Sequence, residues 1–133
     1  MAEGKNPIKS FRDLEVYQNS YKAMLIVMKN LLLKLPENEK FDLKDQLSRS
    51  CKAIPRLIAE GYAKKHQKLG FKKYIDDAMA ETNETIVGIE QCRDVYDIET
   101  DLSEKLIGEY DKIARQLYRL SEAWDNFSRK PKP

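Results

Sequence analysis

The chain is poor in the residues on which most catalytic and metal chemistry depends. Its 133 residues include one histidine, two cysteines, one tryptophan, five glycines and five prolines. A carboxylate-bridged di-iron bundle needs paired Glu-x-x-His motifs, which the lone His66 cannot supply. His66 with Cys51 and Cys92 also falls short of a tetrahedral zinc site. There is no glycine-rich phosphate loop, so no cofactor is expected. Neither Asn-Gly nor Asp-Gly occurs and no run alternates with period two, which argues against β-hairpins. The longest apolar run, "AMLIVM", is far shorter than the roughly 20 residues of a bilayer span. The opening "MAEGKNPIKS" lacks the apolar core of a signal peptide. These features predict a cytoplasmic protein without a membrane partner. The cysteines read as two buried free thiols or as one disulfide between helices. A nucleophile and base built from a cysteine and His66 is disfavoured. Both thiols lie on apolar seams, while the histidine sits in a basic turn, so no enzyme is expected.

What is present is charge and helical periodicity. Charged residues make up 35% of the chain. Ser10 followed by Asp13 has the form of a capping box, after which Leu14, Tyr17, Tyr21, Met24, Met28, Leu31 and Leu35 recur at spacings of three and four. Pro36 ends that helix. Asp42 is placed to cap a second helix with the seam Leu43, Leu47, Cys51, Ile54 and Ile58, widened by Leu57 and stopping near Lys65. A third seam runs Phe71, Ile75, Ala78, Thr82, Thr85, Ile89, Cys92 and Tyr96. Its small middle suits close helix approach, and its threonines can bond back to the preceding turn. Thr100 is positioned to cap a fourth helix carrying Leu106, Tyr110, Ile113, Leu117, Leu120, Trp124 and Phe127. The expected fold is all-α, an antiparallel up-down four-helix bundle over residues 10–127. A flexible N-terminal arm (1–9) and a basic flexible tail (128–133) flank it.

Two features point beyond the isolated chain. With Met24 and Met28 on the core seam, Ile26 and Leu33 point outward seven residues apart, a candidate second buried face where copies meet. Charge is also segregated. Leu43 to Tyr74 holds nine Lys or Arg against Asp45 and Glu60, about +7; Ile75 to Glu104 holds ten acids against Arg93, about −9. Opposite fields on adjacent parts of a protomer suit a head-to-tail contact, which closes into a ring when the rotation permits. The alternative is nucleic-acid binding. Lys64, Lys65, Lys68, Lys72 and Lys73, with Arg129, Lys130 and Lys132 of the tail, would contact phosphates, and Phe71 or Tyr74 would offer stacking surface. A solvated, charge-rich turn accounts for the same lysines, and Phe71 fits the core seam better than a stacking role.

The segment "IPRLIAEGYAKK" sets Pro55 and Gly61 inside a helix. Pro55 withholds an amide from the Cys51 carbonyl and predicts a kink; Gly61 predicts close approach of a neighbouring backbone. This segment, with "FRDLEVYQ" and "LPENEKFDLKDQLSRS", resembles the four-helix-bundle proteins associated with intervening sequences of bacterial large-subunit ribosomal RNA. Matching residues include Phe11, Asp13, Leu14, Val16, Pro36, Glu39, Leu43, Gln46, Leu47, Arg49, Ile54, Pro55, Ile58, Ala59, Glu60, Gly61 and Glu84. The family's early tryptophan is Tyr17 here, its asparagine Leu57 and its third-helix serine Glu81. The resemblance implies an up-down bundle that assembles as a homopentamer; it does not imply an enzyme. A related branch, the accessory variability proteins of diversity-generating retroelements, implies RNA or DNA and a reverse transcriptase as further partners.

Overall fold

The computed structural model describes residues 7–129, with Lys68 and residues 125–129 described by backbone alone. Among these residues the chain forms four long helices and no strand: α1 (Glu15–Ile26), α2 (Leu43–Ala63), α3 (Lys68–Tyr96) and α4 (Thr100–Arg129). Neighbouring helices run in opposite directions. Thr85 meets Ser50 while Tyr74 faces Gly61, so numbers rise along α2 as they fall along α3. Likewise Asn19 of α1 meets Gln116 of α4, while Lys34, further along the first helical rod, meets Glu99 just ahead of α4.

The seams expected on α2, α3 and α4 form the core. Leu47, Cys51, Ile54, Ile58, Phe71, Ile75, Ala78, Ile89, Cys92, Leu106, Tyr110, Ile113 and Leu117 are all buried. Leu57, Tyr96, Leu120 and Trp124 pack at its margin. The side chain of Phe127 lies outside the described residues. Thr82 donates to the Ala78 carbonyl at 2.8 Å, and the Thr85 hydroxyl lies 2.8 Å from the Glu81 carbonyl and 2.9 Å from Ser50 Oγ. These hydroxyls are thus satisfied inside an otherwise apolar interface. Both cysteines are free and buried. Burial pushes the Cys51 thiol up to about 12 and the Cys92 thiol to about 11, well away from nucleophilic character.

Glycine allows α2 and α3 to approach. A β-carbon on Gly61 would sit 3.1 Å from Tyr74 Cβ, and one on Gly88 would sit 3.0 Å from Leu47 Cδ1. Helical structure is continuous from Leu43 to Ala63, with Pro55 buried within it.

The first helical rod departs from expectation. The Ser10–Asp13 capping box is present, but it caps a short 3-10 turn (Phe11–Asp13), and the chain extends at Leu14 before α1 starts. After Ile26 the rod widens into a π turn (Val27–Leu31), where the Leu32 amide donates to the Val27 carbonyl. It then tightens into a 3-10 turn (Leu32–Lys34). Leu35 is extended ahead of Pro36, as the proline requires. The buried face of α1 is Val16, Ser20, Ala23 and Met24, continuing through Val27, Leu31, Leu32 and Leu35. Tyr17 and Met28, expected in the core, are only half-buried, and Tyr21 is 44% exposed. The small residues win the core because they let α1 lie close to its neighbours, which maximises packing along the whole helix.

Two expected caps are also replaced. Asp42 makes no side-chain cap to α2; Glu39 accepts from the Leu43 amide at 3.2 Å and also takes the Tyr96 hydroxyl. Thr100 is the first residue of α4, and the Glu99 carbonyl receives the Ser103 amide at 2.7 Å. Asp97, in left-handed geometry at φ 53°, ends α3; its amide donates to the Arg93 carbonyl at 3.0 Å, the αL capping motif, and the Ile98 amide reaches back to the Cys92 carbonyl.

Candidate interaction surfaces

Because the core claims the small face of α1, its large residues are left over. They line an open groove of about 490 Å³ between the first helical rod and α2. Its walls are Phe11, Tyr17, Tyr21, Met24, Leu25 and Met28 on one side and Pro55 and Ala59 on the other, with Lys29, Lys52 and Arg56 at the rim. The aromatic residues form a ladder. Phe11 meets Tyr17 edge-on at 4.9 Å between centroids, and Tyr17 meets Tyr21 at 5.9 Å. Arg12 covers the outer face of Phe11 at 4.6 Å. An aromatic and methionine surface with a cationic margin can take an apolar, acid-flanked helix.

A surface of that description lies on α3. Val87 and Val95 are exposed on its outer side, on the helix that also carries Asp76, Glu84 and Glu90. The Glu81 carboxyl is held above its ordinary value, first by partial burial and then by the charge of Glu84.

The residues singled out in the sequence fall in separate places. Ile26 and Leu33 are exposed, at 37% and 73%, but neither lines the groove. Pro55 is a groove residue as well as a buried one, which ties its place in α2 to this surface. Lys64 and Lys65 are exposed at the end of α2, and Lys65 Nζ sits 4.0 Å over the Tyr62 ring. Lys72 donates to Ser121 Oγ at 3.2 Å, and Lys73 pairs with Asp77 at 3.1 Å, so both are engaged within the chain. The side chains of Lys68 and Arg129, and Lys130 and Lys132 entirely, lie outside the described residues. Phe71 is buried and stacked on Trp124 at 4.4 Å; it offers no face of its own. Leu57, standing where the family has asparagine, packs against the core, and Ser50 with Thr85 supplies the polar link between α2 and α3.

The groove itself was missed from sequence. Its signal was present as a second stripe on α1, Val16, Ser20, Ala23 and Val27, competing with the larger residues for the core.

Among the described residues no cluster of His, Cys, Asp and Glu could hold a metal, and no helix is long and apolar enough to cross a membrane. Residues 12–119 match the family model described as 23S rRNA-intervening sequence protein. Neither a curated protein nor a solved structure matches the chain.

Proposed function

The chain belongs to the 23S rRNA-intervening sequence protein family, and from that premise we propose that it is a non-catalytic cytoplasmic protein that assembles with copies of itself into a closed ring, a homopentamer. The observation that carries this reading is the groove between α1 and α2: it is open, apolar and rimmed by Lys29, Lys52 and Arg56. Its complement is the α3 face of the next copy, where Val87 and Val95 would enter the apolar floor and the acids would meet the cationic rim. Because the two surfaces differ, the contact is head-to-tail, and repeated contacts close when the rotation divides the circle. Ile26 and Leu33 form a separate candidate contact outside the groove.

Light scattering of the full chain at low and high salt tests the reading. A closed oligomer is expected in both, because the apolar part of the contact persists when charges are screened. Tyr21→Glu with Met28→Glu places two carboxylates in the groove and yields monomers. A wild-type protein that is monomeric at micromolar concentration in both salts refutes the assembly. An oligomer indifferent to the groove substitutions but broken by Ile26→Glu with Leu33→Glu moves the interface to that stripe.

A second reading, a nucleic-acid-binding accessory protein, is favoured by the exposed Lys64 and Lys65 at one end of the bundle. Such binding weakens steeply as salt rises. Failure to retain RNA or DNA at about 50 mM salt removes it.

A further inference from the structure

At the end of the bundle where α2 stops and α3 begins, the chain forms a second apolar hollow, of about 340 Å³. That is near the lower limit of about 300 Å³ for small-molecule sites. It lies between the N-terminal segment, through Ile8 and Leu14, and the ends of three helices, which bring Tyr62, Phe71 and Trp124 together. Phe71 and Trp124 are stacked, 4.4 Å apart and 26° from parallel; Phe71 is buried behind, so the half-buried Trp124 is the aromatic ring this pair contributes to the lining. Lys65 stands in the lining with Lys64 beside it, both exposed, and Lys9 and Arg12 lie on the segment that crosses this end. Lys72 is held close by through its bond to Ser121. An aromatic floor under a cationic mouth matches a ligand with a flat apolar ring joined to an anion.

We propose that this hollow takes an unpaired base of single-stranded RNA or DNA, with the adjoining phosphates on Lys64 and Lys65. The inference rests on the nucleic-acid reading and specifies which form of nucleic acid is bound. Paired bases are stacked inside a duplex and present only their edges, so a duplex cannot fill the hollow. Every base has a π-face that an aromatic wall accepts, and with little polar lining to read base edges the site tolerates any sequence.

Trp124 is the sole tryptophan, so its fluorescence reports on this hollow alone. The full chain is titrated with a short uridine oligomer, a duplex of matched length, an abasic strand and uridine monophosphate, each at about 50 mM salt. The single strand should quench Trp124; the duplex and abasic strand should not. Lys64→Gln with Lys65→Gln should weaken the single strand by about tenfold or more. It should also lower the salt slope by about 0.7 for each phosphate that the lysines no longer neutralise. Trp124→Leu, followed with a labelled oligomer, should also lose about tenfold, the scale of one lost base stack. Should that variant unfold, the lysine pair and the wild-type quench still decide. Quenching by the monophosphate at the same concentration as the oligomer overturns the single-strand assignment in favour of a free nucleotide. Binding of the oligomer without quenching overturns the pocket and leaves the nucleic-acid reading standing. No binding of any strand overturns both.

Discussion

Replacing Gly61 and Gly108 separately by alanine should stabilise the protein at Gly108 and fail to do so at Gly61. Both glycines lie inside helices, where alanine is favoured over glycine by about 1 kcal/mol. At Gly108 nothing lies within 4 Å of where a β-carbon would stand, so that gain should appear in full. At Gly61 the new carbon would meet Tyr74 Cβ at 3.1 Å, Ile75 Cδ1 at 3.5 Å and the Phe71 carbonyl oxygen at 3.6 Å. The nearest of these is fixed to the α3 backbone and cannot swing aside. Relief requires α2 and α3 to part by a few tenths of an ångström along a close-packed seam, a strain of about 1–3 kcal/mol. The net effect at Gly61 is therefore between neutral and about 2 kcal/mol of destabilisation. The two variants should differ by about 1–3 kcal/mol. Urea unfolding at matched protein concentration measures the difference, since self-association contributes to apparent stability. An unchanged m-value licenses the comparison. If Gly61→Ala stabilises as much as Gly108→Ala, the close approach of α2 and α3 is not what Gly61 provides.

Three further outcomes follow from buried or bonded groups. Tyr110 is fully buried, its hydroxyl has no hydrogen-bonding partner among the described residues, and burial holds its phenol far above the usual range. Tyr110→Phe should therefore be neutral or stabilise by up to about 1 kcal/mol in urea unfolding; a loss of that size would mean that the hydroxyl is bonded after all. The Tyr96 phenol is raised, first by its hydrogen bond to Glu39 and then by partial desolvation. A phenol raised on folding contributes stability that is complete below the unfolded value near 10 and is lost as pH rises through the folded value. Tyr96→Phe should flatten the part of the alkaline stability loss that this phenol causes, as read by unfolding at a series of alkaline pH values. Cys51 and Cys92, pushed up to about 12 and about 11 by burial, should resist a thiol reagent in the native protein at pH 8 and react on unfolding. Rapid native labelling of either would contradict their burial.

How far the sequence could be read depended on whether a helix carried one apolar stripe or two. On α2, a single stripe from Leu43 to Ile58 faces a polar remainder, and every member is buried. The same held on α3 from Phe71 to Cys92, with Tyr96 half-buried at the margin; Thr82 and Thr85 satisfy themselves on their own helix and so do not spoil the seam. On α1 two stripes compete. Counting large apolar residues favours Tyr17, Tyr21 and Met28, whereas packing favours Ser20, Ala23 and Val27, because interhelical distance counts for more than side-chain size. Choosing between them needs the partner helices, which local spacing does not contain. The caps failed for a related reason. Asp42 is the obvious local acceptor, but Glu39 is held in place by Tyr96 from the far end of α3, a residue 57 positions away. The basic turn was legible as charge alone. Its neighbourhood, the Phe71–Trp124 pair and the crossing N-terminal segment, exists only once three helix ends and that segment are brought together.

The wide turn at Val27–Leu31 has a consequence for how this chain tolerates change in length. A π turn spends one residue more than an α turn on the same rise, so it acts as a splice between two stretches of helix that index the bundle differently. Ahead of it, the inward positions are Val16, Ser20 and Ala23; beyond it, they are Leu31, Leu32 and Leu35. Deleting Lys29 would remove the extra residue, so the rod could wind as regular helix from end to end with Leu31, Leu32 and Leu35 still facing the interior. A single codon lost from this outward-facing, hydrophilic position should thus be borne better than one lost from the middle of α2, where no wide turn absorbs it and the buried stripe would turn by about 100°.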